Sequence, residues 1–223
     1  MRIVSWNCAM GFAKKRPLVE ALNPDIAILP EASQRDIEET EAPFKAWVGS
    51  NPHKGLGIVG FTNRSYRLHE AGILLPWHIP FSVDGLNVIG LWSHVRDKDL
   101  KYVRVTHGVI DRHASFLSSA PSLIIGDFNS NTVWDQEHPG RNHSMLVTKL
   151  EALGLQSVYH RSQGLPHGEE IIKTYFHTKK LRFGHHIDYA LLGGKSASMA
   201  VGRPEDWLTY SDHMPLILYI DEA

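Results

Sequence analysis

Five apolar stretches of this 223-residue sequence end in side chains able to do chemistry. "RIVSWN" ends at Asn7, "DIAILPE" at Glu31 and "NVIGLWSH" at His94; "LIIGDFNSN" runs through Asp127 and Asn129, and "TYSDH" sets Asp212 and His213 before the last apolar run. One Asp or Asn after a strand is an ordinary turn former, and Gly126 supplies permissive dihedrals. Five such ends exceed what turn chemistry explains; groups gathered at strand tips are what a site with a rigid scaffold and an open mouth requires. Glu31, Asp127 and Asp212 are hard oxygen donors, and Asn7 and Asn129 add neutral oxygens, a set suited to Mg²⁺ or Mn²⁺. Zinc would ask for more thiolate or imidazole. A hydrated cation beside amides and imidazoles polarises a phosphoryl group, and a His–Asp pair orients or deprotonates an attacking water. Phosphoester hydrolysis is the implied chemistry.

The elements that must position these groups are legible as apolar runs of strand length: "RIVSW", "DIAILP", "LGIVGF", "LNVIGLW", "SLIIG", "IDYALL" and "PLILYI". They are near-continuous, as expected of strands buried on both faces or in a sandwich. Helices are expected at Pro17 to Leu22, Lys101 to Ser118 and His143 to Leu153, the last closed by Gly154. Strands interleaved with helices argue for an α/β protein with mixed sheets. With no repeat, no low-complexity tract and no Pro, Gly or Ser-rich linker, residues 1–223 are expected to form a single domain.

Composition excludes several classes. The chain is 43% hydrophobic and 21% charged, enough apolar content for a sizeable core. Lys and Arg number 23 against 24 Asp and Glu, a formal charge of -1, so any grip on a polyanion must be local. Cys8 stands alone, which excludes an intramolecular disulfide, fits a reducing compartment and suits a small buried hydrophobe. "MRIVSWNCAM" reads as a strand and not as a secretory leader, and no window has the apolar length of a membrane span; a soluble cytoplasmic protein is the expectation. Of the 14 histidines, His107, His113, His138, His143, His160, His167 and His177 show no shared spacing, so no zinc site is expected among them. Lys14-Lys15-Arg16, and Lys179-Lys180 with Arg182, are expected in loops beside motif strands, where either could meet a phosphate backbone. Trp134 could stack on a base or pack its own loop.

Five short motifs in order, "SWN" at 5–7, "PDIAILPE" at 24–31, "GDFN" at 126–129, "HIDYALL" at 186–192 and "SDHMPL" at 211–216, make the chain resemble the endonuclease/exonuclease/phosphatase superfamily of deoxyribonuclease I-like and exonuclease III-like enzymes. The resemblance implies a four-layered α/β sandwich, two mixed sheets packed face to face with helices outside, and an active site at one edge. It implies a metal site with Glu31 as principal ligand, Asn7 beside it and Asp212 on the same side. Asp127 would orient or activate the nucleophilic water, and Asn129 would bind a phosphate oxygen. His213 would be the catalytic histidine, held by Asp188, and His94 would match a phosphate-contacting position. Two positions depart from the pattern. His186, preceded by His185, stands where relatives commonly carry Arg, and Pro30 stands before Glu31 where many carry Gln.

Blander roles compete at several positions: a turn cap for Asn7 or Asp212, a buried acid bonded by backbone amides for Asp188, a core imidazole for His94. The resemblance favours a metal-dependent phosphodiesterase acting on nucleic acid, expected as a monomer. A phosphatase or phosphodiesterase of a small molecule or lipid headgroup is the alternative, and a binding module that lost catalysis a third. No amphipathic basic segment suited to a membrane surface is evident.

Overall fold

The computed structural model describes residues 1–70, 77–94 and 102–222. The chain lays down β1 (Arg2–Ser5), α1 (Phe12–Glu20), β2 (Ile26–Ala32), α2 (Gln34–Glu38), β3 (Phe44–Asn51), β4 (Lys54–Gly60), β5 (Tyr66–Leu68), β6 (His78–Val83) and β7 (Leu86–Trp92). It continues with α3 (Tyr102–Ser118), β8 (Ser122–Asp127), α4 (His143–Ala152), β9 (Gln156–Ser157), α5 (Val158–Gln163), β10 (Tyr175–Phe176), β11 (Gly184–His185), β12 (Asp188–Gly193), β13 (Ala197–Val201), α6 (Pro204–Trp207) and β14 (Leu216–Ile220). One six-stranded sheet has the order β13-β14-β1-β2-β4-β3, the other β5-β6-β7-β8-β12-β9, and β10 with β11 makes a small ribbon. Both large sheets mix parallel and antiparallel pairs.

The near-continuous apolar runs follow from burial on both faces. Successive side chains of a strand point to opposite sides. Ile3, Ile28 and Ile58 of the first sheet meet Phe81, Val88 and Ile125 of the second in one central core. Their neighbours Val4, Ala27, Leu29 and Val59 pack outward on Phe12 and Val19 of α1 and Ile37 of α2. On the far side Ile89, Ile124 and Leu191 pack under Val109 and Ile110 of α3 and Leu146 and Leu150 of α4. Four layers result, as the resemblance implies. Each such Val, Leu, Ile or Phe side chain, removed from water, contributes about 1.5–3 kcal/mol.

Local departures have identifiable causes. Pro17 suggests a helix start, because a missing N–H costs nothing at the first helical position, yet α1 begins at Phe12 and carries Pro17 inside. Lys14, Lys15 and Arg16 therefore lie on a helix and not in a loop. The helix expected from Lys101 is described from Tyr102, Lys101 lying outside the described residues. α4 ends as its sequence implies: Gly154 adopts φ 82°, its N–H bonds to Glu151 O at 2.8 Å, and Leu155 N–H bonds to Leu150 O at 3.0 Å. Pro80, which reads as a strand breaker, hides β6, and β3 is hidden because it is partly exposed throughout at a sheet edge and has no continuous apolar run.

Three of the histidines without shared spacing, His143, His160 and His167, converge in space with His186. His143, His160 and His186 are buried around Tyr189, and His167 stacks on His160 with centroids 3.6 Å apart. Burial, aided by neighbouring imidazoles, drives His143 down to about 3, and burial drives His186 down to about 4. Both rings are therefore neutral at pH 7 and remain so at pH 5.5. In an NMR titration from pH 7.5 to 5.5 their ring C–H resonances should stay fixed; a midpoint near 6.5 for either would contradict the packing described.

Candidate active site

Register explains why the strand ends meet. β1 and β2 are parallel with Ser5 opposite Ile28, and the ladder continues as Trp6 N–H bonds to Ile28 O at 2.9 Å and Cys8 N–H to Pro30 O at 3.0 Å. Asn7 and Glu31 thus emerge at one edge. β7 and β8 are also parallel, with Trp92 opposite Asp127, so His94 leaves beside Asp127. β12 runs antiparallel to β8 and starts with Asp188 directly opposite Asp127. β14 is antiparallel to β1, with Leu216 opposite Ser5, which places Asp212 and His213 just beyond the end of β1.

Backbone irregularities then aim the side chains. Glu31 sits at a register shift between Pro30 and Ala32 with φ 65°. Such a bulge re-aims a side chain, and a left-handed non-glycine residue stores about 1 kcal/mol or more that the surrounding sheet must hold. Asn129 is likewise left-handed, φ 47°. Gly126 answers a different need: a Cβ there would meet Leu91 O at 1.9 Å, so only glycine lets β8 approach β7 closely enough to deliver Asp127.

Asn7, Glu31, His94, Asp127, Asn129, Asp212 and His213 line one cleft of ≈ 690 Å³. Asp188 stands behind His213, with Oδ2 at 3.0 Å and Oδ1 at 3.2 Å from Nδ1. All eight candidates are therefore brought together. Asp127 is wholly buried. Its Oδ2 accepts from Asn7 Nδ2 and Asn129 Nδ2, both at 3.0 Å, and its Oδ1 from Asn129 N–H at 2.9 Å. His213 Nε2 lies 3.9 Å from Asp127 Oδ2. The His213 loop is pinned by Trp6 Nε1–H to His213 O at 2.8 Å and by Ser211 Oγ–H to Asn7 O at 2.7 Å.

The electrostatics of the pair are opposed. Burial, reinforced by the Asp188 charge, pushes Asp127 well above the usual carboxylate range despite His213 and its hydrogen-bond donors. Burial disfavours charge on His213, but Asp188, Asp127 and Asp212 outweigh it and raise the imidazole. The carboxyl is thereby tuned to take up and release a proton near neutral pH, and the imidazole, raised to about 10, stays charged beside it. His94 is different: burial, with Lys54 adding, lowers it, and its ring stacks on Trp92 with centroids 4.5 Å apart.

Some groups escaped sequence reasoning. Lys54 Nζ lies 3.0 Å from Glu31 Oε2 and 5.6 Å from the Trp92 ring centroid. The Tyr175 ring lies 4.8 Å from that of His213, brought there by a bridge between the two residues. A lysine opening a strand and a tyrosine between motifs carry no spacing signal, so only the fold reveals them. Lys15 Nζ donates to Cys8 O, close enough to feel Lys179, Asp212 and Glu31. One lysine of each basic cluster, Lys15 and Lys179, is thus near enough to interact with the other, and Lys15 with two carboxylates of the cleft. His186 turns inward, with Ile172 O 2.8 Å from Nδ1, so its departure from arginine changes packing behind the site.

Comparison with known proteins agrees with the fold. No curated protein sequence matches the chain. Among solved structures it is similar to the 3′-5′ exonuclease NExo from Neisseria meningitidis, at 18% identity and a TM-score of 0.70, covering 100% of each chain. It is also similar to the 3′ phosphatase NExo from Neisseria bound to a product DNA hairpin, at 19% identity and a TM-score of 0.71, again over 100% of both chains. The profile described as the Endonuclease/Exonuclease/phosphatase family matches residues 4–213, from β1 to His213, and the chain belongs to that family.

Proposed function

We propose that this protein is a divalent-metal-dependent phosphoester hydrolase acting on nucleic acid. The observation that carries the reading is the packing of Asp188, His213 and Asp127 into one buried chain at the floor of the cleft, with Asn7 and Asn129 fixing Asp127. Asp188 accepts from His213 Nδ1–H, which sets the tautomer and supports the charged ring. Asp127, tuned upward, takes a proton from the attacking water, and His213 Nε2–H faces the phosphoryl oxygens, while Asn129 gives its Nδ2–H groups to Asp127 Oδ2 and Ser93 O and so holds the carboxylate in place.

Glu31 and Asp212 on the cleft wall, with Asn7, form an all-oxygen set carrying two carboxylates, which fits Mg²⁺ or Mn²⁺. Lys54 already places cationic charge against Glu31. When bound, the cation would polarise the phosphoryl oxygen and neutralise developing charge. Neutral His94 adds a hydrogen bond to a phosphate oxygen.

Nucleic acid is favoured by the rim. Trp134, His138, Tyr102 and Tyr175 line the cleft as flat surfaces on which bases stack. Lys15 and Lys179 add charge where a backbone would pass. The two similar structures, an exonuclease and a 3′ phosphatase with a DNA hairpin, support a DNA end as substrate. The test is hydrolysis of plasmid DNA, single strands, abasic duplex, 3′-phosphorylated hairpin, RNA and small phosphodiesters with Mg²⁺ and with Mn²⁺. Turnover confined to the small phosphodiesters would overturn the nucleic-acid reading.

Salt provides a second check. Binding of a DNA hairpin should weaken steeply with salt, and Lys179→Ala with Lys180→Ala should reduce the slope of log K against log [salt] by about 0.7–0.9 for each phosphate that is no longer neutralised. An unchanged slope would remove these lysines from the path of the backbone.

A further inference from the structure

We infer that Lys54 is a phosphate-binding residue and an exchangeable counter-ion of Glu31: it gives up that carboxylate on divalent-cation binding and turns to a phosphate oxygen of the substrate. The inference rests on the metal-dependent hydrolysis proposed above. Lys54 is the single Lys or Arg among the described residues that line the cleft, whereas Glu31, Asp127, Glu137 and Asp212 all line it. A phosphate entering among carboxylates is repelled unless cationic charge meets it. Lys54 Nζ lies 3.0 Å from Glu31 Oε2, with the two side chains 34% and 19% exposed. An ion pair so open to water holds weakly and separates readily.

The root of this side chain is fixed and its tip is free. β3 and β4 form a hairpin in which Asn51 faces Lys54. His53 N–H bonds to Asn51 Oδ1 at 3.0 Å, and Pro52 O accepts from Gln34 N–H at 2.8 Å. On the other side of β4, Gly55 faces Ala32, so the bulge that turns Glu31 outward lies beside Lys54. About this root the flexible four-carbon stem carries the ammonium, which meets phosphate as a point charge and needs no fixed approach. A second resting place is at hand. The Trp92 ring centroid is 5.6 Å from Nζ, and Trp92 stacks on His94, the imidazole placed to bond a phosphate oxygen. A cation within about 6 Å of an aromatic face is held there electrostatically.

Exchange follows from charge. Lys54 and a divalent cation on the same carboxylate would repel one another, and Lys54 is the partner on a flexible stem. Swung toward Trp92 and His94, its ammonium adds positive charge where the phosphate lies. Lys54 thus neutralises Glu31 in the metal-free protein and serves the substrate in the loaded one. Cation and phosphate then each favour the binding of the other.

The test measures two affinities. Mn²⁺ binding without nucleic acid is read from the EPR signal of free Mn²⁺. Binding of a 3′-phosphorylated DNA hairpin is read by fluorescence anisotropy with Mn²⁺ present, in an Asp127→Asn background so that the probe is not consumed. Lys54→Met, which keeps the stem, should bind Mn²⁺ about two- to fivefold more tightly, since the competing ion pair is gone. It should bind the hairpin about ten- to a hundredfold more weakly, since a charged hydrogen bond is lost. Lys54→Arg should restore hairpin binding. A lysine that only shapes the cleft would not move the two affinities in opposite directions. Unchanged or weaker Mn²⁺ binding in Lys54→Met would overturn the exchange, and unchanged hairpin binding would overturn the phosphate contact. A hairpin that binds neither the lysine nor the methionine protein would overturn the nucleic-acid reading instead. The KM for bis(p-nitrophenyl) phosphate then decides the contact: a rise in Lys54→Met supports it, and an unchanged KM overturns it.

Discussion

His213→Ala and Asp188→Asn should each lower kcat by roughly 10²- to 10⁴-fold, and the double variant should be no more than about threefold worse than the worse single. The reason is geometric. Both Asp188 oxygens lie within 3.2 Å of one imidazole nitrogen, and both residues are buried, so they act as one unit. Asp188→Asn removes the leading charge that raises His213. The imidazole should then lose its proton at lower pH, and the alkaline limb of the rate profile should move down, the opposite of what a stabilised cation gives. Steady-state kinetics on the two singles and the double decide it. Losses that multiply, or an alkaline limb that does not move, would show that the two residues work separately.

The second large effect concerns the cation. EDTA should abolish turnover, Mg²⁺ or Mn²⁺ should restore it, and Glu31→Gln should raise the concentration needed for half-activation by roughly two orders of magnitude, because one carboxylate of two is lost. The substitution keeps the size of a side chain on a strained, bulged backbone and breaks only the partly exposed pair with Lys54. Stability should therefore change by less than about 1 kcal/mol. A Glu31→Gln protein with wild-type metal dependence would remove Glu31 from the metal site.

Much of this site can be read from residues alone, and the reason is physical. A strand buried on both faces announces itself by an unbroken apolar run, so a polar group at its tip stands out, as Asp127 does after "LIIG" and Glu31 after "DIAILP". What resists reading is whatever depends on two strands at once. The bulge that turns Glu31 outward is a property of the β2–β4 pairing, and the need for Gly126 arises from a carbonyl on β7. Lys54 and Tyr175 reach the cleft through sheet order and a bridge. The imidazole cluster is the extreme case. His143, His160, His167 and His186 follow no ligand spacing in the chain, because α4, α5, the loop after it and the entry to β12 bring them together only when folded. Pro17 and Pro80 mislead for the converse reason: each breaks a local rule that tertiary packing overrides.

The central claim is that Asp127 performs proton transfer for phosphoester hydrolysis in this cleft. Asp127→Asn tests it most directly: the amide keeps the size of the carboxylate and an oxygen to accept from Asn7 and Asn129 Nδ2, its own Nδ2 then faces Asn129 N–H, and it cannot take a proton, so the unfolding temperature is measured beside the kinetics. With Mg²⁺ and DNA hairpins ending in a 3′-hydroxyl or a 3′-phosphate, the account predicts that the variant binds within about threefold of wild type while hydrolysis falls by roughly 10³-fold or more. An Asp127→Asn protein that binds normally and cleaves within tenfold of wild type would contradict it.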